Sequence, residues 1–332
     1  MDRERTLRPG AHTAGALLLS ALALLNLGWI VRDFDKAANV TDAWWMWTGL
    51  LFRAQDGIWA SSFVEPTLLV LYTVCAVTAL LSSAAAGILV STGVLTVLLR
   101  VPTLWNLNAG WVQGGVSDGL RIKVLISVIA MLVLAVALIV TAAAGRRPVS
   151  DAEDAASRGT REAAPARPTP ARGFAASAML AAVAVVLFSW EFHSWHQQGW
   201  ELYSHHLTGD RVLVTLLAVP ESWYGISLAL MCLSASVAAF TRSGFSRPLG
   251  MTVSAPLVAL GLFHLSFTVK AGLLDDFAAL ALRDQLRLAT AVFEILVAFA
   301  LLLALAGRGS VAQGRTPARE PTPRQGTLRP QA

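Results

Sequence analysis

Charge is scarce in this chain. Only 14% of its 332 residues are Asp, Glu, Lys or Arg, against about 25% in an average soluble domain. Lysine is scarcer still, with Lys36, Lys123 and Lys270 set against 23 arginines. Cysteine is limited to Cys75 and Cys232, both inside apolar runs, too few for a disulfide framework or a thiolate zinc site. No phosphate-cradling loop, Walker motif, Ser-His-Asp order or nucleic-acid motif is present. Together these absences exclude a soluble globular enzyme, a disordered chain, a stapled secreted module and a nucleic-acid partner.

What remains is apolar sequence. Hydrophobic residues make up 55% of the chain and the mean hydropathy is +0.58. A membrane-crossing helix needs about 20 mostly apolar residues. Eight stretches qualify, roughly 11–31, 65–82, 84–100, 124–144, 173–192, 222–240, 250–269 and 288–306. The runs are continuous rather than alternating and rich in Ala and Leu, so they predict helices and not barrel strands. Arg3, Arg5 and Arg8 precede the first run as in a signal peptide. Its apolar core, at about 21 residues, exceeds a usual h-region, which predicts an uncleaved first helix.

Residues 145–172 and 309–332 are rich in Pro, Arg, Ala, Gly and Thr. Such composition buries too little surface to offset the entropy of ordering, so a flexible linker and a disordered tail are expected there. With the N-terminus inside, the eight spans place 16 of the 26 basic residues in the cytoplasm, as the positive-inside rule requires. All 11 tryptophans (Trp29, Trp44, Trp45, Trp47, Trp59, Trp105, Trp111, Trp190, Trp195, Trp200 and Trp223) then fall at the outer ends of spans or in outer loops. The bias of arginine over lysine, with abundant alanine, suggests a high-GC bacterial genome and an inner-membrane location. The sequon Asn39-Val40-Thr41 has no role there.

The two halves resemble each other. Ala109-Gly110 recurs as Ala271-Gly272, Leu120-Arg121 as Leu282-Arg283, and Ala144-Gly145-Arg146 as Ala306-Gly307-Arg308, all 162 residues apart. Trp29 matches Trp190 at an offset of 161, and Cys75 matches Cys232 at 157. The expected fold is therefore an all-α integral membrane protein of eight transmembrane helices. It forms two parallel, same-orientation four-helix repeats, 1–144 and 173–308, with both termini cytoplasmic. An even number of spans per repeat implies a pseudo-twofold axis along the membrane normal, with a site near the interface between halves. Residues that break the symmetry are then the candidates for function.

The most concentrated polar stretch, residues 190–206, holds His193, His196, His205 and His206 with Glu191 and Glu201. The corresponding segment of the first half has no histidine. Imidazole with carboxylate suits zinc, copper or iron, so these four and His264, near the outer end of span seven, are candidate metal or haem ligands. Against this, His, Trp and Tyr are amphipathic and suit a membrane interface. Glu294 lies inside span eight where the first half has Leu132. An intramembrane carboxylate is costly, and it faces the protein interior or a water-filled cavity, as a proton or cation site would. Glu65 and Arg100 sit at span ends, positioned to snorkel, and Asp33 and Asp35 read as residues of a solvated loop.

Arg32-Asp33-Phe34-Asp35, an acidic stretch after the first span, resembles the first outer loop of polyprenyl-phosphate-sugar glycosyltransferases over some ten residues. That resemblance implies a loop carboxylate that helps to activate an acceptor. The leading expectation is different: a non-enzymatic small-solute carrier or a component of an envelope complex. Its partners would be the lipid bilayer, a small-molecule solute or another membrane protein. The alternatives are a metal- or haem-dependent membrane oxidoreductase built on the outer histidines, and the lipid-linked glycosyltransferase.

Overall fold

A computed structural model describes residues 5–50, 58–107, 109, 112, 115–148, 169–210, 215–275 and 277–306. The expected tail, Trp111 and the middle of the expected linker lie outside the described residues. Helix α1 spans Pro9–Lys36, α2 Val40–Trp47, α3 Val64–Leu81, α4 Ala85–Asn106 and α5 Asp118–Ala144. After the linker come α6 Pro170–Thr208, α7 Glu221–Phe240, α8 Ser246–Lys270 and α9 Leu282–Ala306. All except α2 are long and apolar enough to cross a membrane, which gives eight candidate spans. The chain is a polytopic helical protein of the membrane type. Large apolar side chains such as Leu24, Val70, Val133, Leu296 and Leu303 point outward, as lipid contact requires.

Several helices outrun their apolar runs, α6 the furthest. Helix α1 continues to Lys36, and α6 runs for 39 residues to Thr208, with a break at Gly199 (φ 73°) where only glycine is at ease. The expected linker differs at both of its ends. Arg146–Pro148 form a strand, β2, antiparallel to β1 (Arg5–Leu7), and Pro170–Arg172 already belong to α6. Leu7, buried beside Gly145, anchors the ladder, and Arg8 N–H donates to Gly145 O at 3.0 Å.

The long helices alternate in direction. One end of the bundle carries Arg8, Arg146, Arg172, Arg242 and Arg247; the other carries every described tryptophan. These are called the arginine end and the tryptophan end. Within residues 9–144, α1 packs on α3 and α5, and α4 packs on α3 and α5. Within 170–306, α6 packs on α7 and α9, and α8 packs on α7 and α9. Each set closes a four-helix ring. Helices dissolved in lipid gain little from the hydrophobic effect, so close packing and interhelical hydrogen bonds hold them together. A Cβ on Gly93 would lie 2.8 Å from Ala135 O, and one on Gly261 would collide with Ala291 O. Glycine at these two places lets α4 approach α5, and α8 approach α9, to backbone contact.

Between the rings α4 packs against α8, flanked by α3 on α8 and α4 on α7. Ser91 Oγ and Thr252 Oγ1 are 2.8 Å apart across this seam, and Gly87 lies against Pro248 one turn away. At the tryptophan end two connecting segments cross it as well. Trp59 pairs with Thr215 as a parallel bridge, and Ala60 O accepts from Leu217 N at 2.9 Å.

Candidate functional site

The interiors of the two rings differ at the tryptophan end. In the first ring the space is filled by polar groups of the chain itself. The Arg100 guanidinium donates to Glu65 Oε1 at 2.7 Å, to Asn26 Oδ1 at 2.9 Å and to Leu217 O of the second half at 3.3 Å. Both charged side chains are wholly buried, so neither snorkels as their positions at span ends suggested. A partner for each lies within reach inside the bundle. Glu65 Oε2 accepts from Ser62 N and Ser62 Oγ. Asp33 is not a solvated loop residue either, because α1 extends past it. Its buried carboxylate accepts from Ser61 N at 2.6 Å and from Ala60 N at 3.2 Å, beside Arg32 at 2.6 Å. The connection after α2 is thereby pulled into the ring. Asp35, by contrast, is exposed.

In the second ring the corresponding region is a cavity of about 520 Å³. Helix α6 contributes Trp190 and Glu191, α7 Ser222 and Tyr224, α8 Phe263 and His264, and α9 Arg287 and Glu294. Trp47 and Phe63 of the first half close one side. Phe63 packs edge-on against Tyr224 at 5.2 Å between ring centres. Glu294 is only 2% exposed, and its Oε2 has no hydrogen-bond partner. A buried carboxylate oxygen without a donor is costly and calls for one. Gln198 Oε1, also in the cavity wall, is unpartnered as well.

The cavity's cation is already engaged. The Arg287 guanidinium lies 3.8 Å from Glu221 and stacks 5.3 Å over the Trp190 ring. Trp190 Nε1 donates to Thr290 at 3.0 Å, and Glu191 Oε2 accepts from Tyr203 at 3.0 Å. What the wall offers a guest is thus an acceptor-rich surface between aromatic faces.

Of the residues singled out from the sequence, the structure brings Glu294, Glu191, His264 and His206 to one cavity. His193, His196 and His205 are elsewhere. His193 packs edge-on against Trp190, His196 stacks on Phe192, and His205 faces Asp210 at 3.5 Å. Among the described residues no three His, Cys, Asp or Glu side chains gather in metal-binding geometry. Sequence reasoning missed Arg287 and Tyr224, which reach the cavity wall only when the four helices of the second ring close. It also missed the Glu65–Arg100 pair, although two opposite charges at the same depth of adjacent spans were a signal for it. The chain matches no family model, no curated protein and no solved structure.

Proposed function

We propose that this chain is a bacterial inner-membrane protein that binds a small solute from the outer side, as the substrate site of a carrier. The observation that carries the reading is the unpartnered Glu294 carboxylate in the wall of an aromatic-lined cavity large enough for a small molecule. The positive-inside rule sets the arginine end in the cytoplasm, so the cavity opens outward and both ends of the helical array begin and finish inside. A duplicated four-plus-four architecture is supported by three features. The two rings pair their helices in the same order, the seam contacts are symmetric, and Ser91 meets the residue 161 positions later.

The test is a tryptophan-fluorescence screen of cationic, anionic and uncharged small solutes on the purified full-length protein, beside Ser194→Trp. Ser194 is half-buried in the cavity wall, so an indole there fills the space without entering the core. The expected result is saturable binding of at least one class in the wild type and its loss in the variant. Binding indifferent to Ser194→Trp contradicts the reading.

A separate surface favours a second reading, a component of an envelope complex. Phe192, Trp195, Trp200 and Leu202 are exposed together where α6 extends beyond its apolar core, and such aromatic patches mark interfaces. Co-purification of a membrane partner, lost in Trp195→Ala/Trp200→Ala, distinguishes it.

A further inference from the structure

We infer that the solute carries a guanidinium or similarly compact cationic nitrogen group, bound where the first ring holds its own Arg100. The inference rests on the solute-binding reading above and on the repeat. Ser91 and Thr252 touch at an offset of 161, the same offset that relates Trp29 to Trp190. Upstream of the shorter α3–α4 turn, Cys75 and Cys232 set the offset at 157. These registers carry Asn26 to Leu187, Asp33 to Ser194, Glu65 to Ser222 and Arg100 to Gly261. Leu187, Ser194 and Ser222 all line the cavity, and Leu260, beside Gly261, does too. The cavity is therefore the counterpart of the filled network. It is open because the residues that faced the arginine have become small or apolar, while Gly261 itself is closed over by Ala291 O and Ile295 of α9.

The carboxylates change place while the cation disappears. Where the first half has Ile30 and Leu132, the second has Glu191 and Glu294, both in the cavity wall. The second ring has lost its built-in cation but keeps two carboxylates, because Ser194 and Ser222 stand where the first has Asp33 and Glu65. Arg287 does not restore the balance, because Glu221 and the Trp190 face hold it at the rim. His206 lies 3.9 Å from the same Glu221. His264 is the remaining basic group in the wall, an imidazole against two carboxylates. A planar cation fits what is left. Guanidinium bonds carboxylates through paired N–H donors and stacks on aromatic faces such as those of Trp47 and Phe263.

The experiment is a titration of methylguanidinium, with N-methylurea as its uncharged isostere, into wild type, Glu294→Gln, Glu191→Gln and Ser194→Trp, read by intrinsic fluorescence. Methylguanidinium should bind saturably and N-methylurea should not. Each carboxamide variant should weaken binding about tenfold or more, the loss of one charge-assisted hydrogen bond. Having two such variants keeps the test valid if one fails to fold. Absent methylguanidinium binding, equal binding of N-methylurea, or unchanged affinity in both carboxamide variants overturns the inference. If an uncharged or anionic solute binds instead and Ser194→Trp abolishes it, the cationic assignment fails while the solute site stands. If Ser194→Trp changes no binding, the site itself fails.

Discussion

Ser91 on α4 and Thr252 on α8 share a hydrogen bond of 2.8 Å at the seam between the two rings, and they are 161 residues apart. Under a twofold axis a residue lying on the axis touches its own mate. In the proposed duplication the axis would run between α4 and α8, parallel to helices that run the same way. Cysteines at both positions, in a Cys75→Ser/Cys232→Ser background, should crosslink within one chain under mild oxidation. Crosslinking only between chains, or none, contradicts that geometry.

The Glu65–Arg100 pair is wholly buried and joined to both halves through Leu217 O. Removing one partner strands the other charge, at a cost of roughly 3–5 kcal/mol. Arg100→Ala should accordingly lower the thermal unfolding midpoint sharply, and Glu65→Leu/Arg100→Leu should recover much of the loss. Equal destabilisation by the single and the double variant would show that shape, not charge, is what matters there.

Gly261 and Gly28 form a matched contrast. A Cβ on Gly261 meets Ala291 O and Ile295 of α9, whereas one on Gly28 meets nothing within 4 Å. Gly261→Ala should destabilise by about 1–3 kcal/mol, the usual cost of overpacking, and Gly28→Ala should leave stability unchanged or slightly raised. Thermal unfolding in detergent measures both.

Orientation is open to a direct check. Ser243 lies in the α7–α8 turn at the arginine end, and Asp42 lies in α2 at the tryptophan end. In whole cells carrying the Cys75→Ser/Cys232→Ser background, Asp42→Cys should react with a membrane-impermeant maleimide and Ser243→Cys should not. The reverse pattern turns the protein over.

The spans were legible because each is a continuous apolar run bounded by charge, and the helices depart from them mainly by extension. Helix α1 continues through Arg32 and Asp33 because buried partners wait for them: Ala60 and Ser61 for Asp33, and Ile58 O for Arg32. Hydropathy cannot foresee partners supplied from about 27 residues away. The candidate site was legible in part. Glu294 stood out as a charge inside a span, and His264 as a polar residue on an apolar helix. That they share a cavity with Glu191 and Arg287 depends on how α6, α8 and α9 close a ring, which no single segment encodes. The histidine-rich stretch is not one continuous face. Gly199 divides it, and the side chains on the two pieces face different neighbours.

The central claim is that Glu294 faces an aqueous cavity open at the tryptophan end. Its most direct test is the reaction of Glu294→Cys, in the Cys75→Ser/Cys232→Ser background, with a cationic, membrane-impermeant methanethiosulfonate added to intact cells. Labelling from outside, suppressed by Ser194→Trp, is the expected result. A thiol that reacts only from the cytoplasmic side, or only with a lipid-soluble reagent, would contradict it.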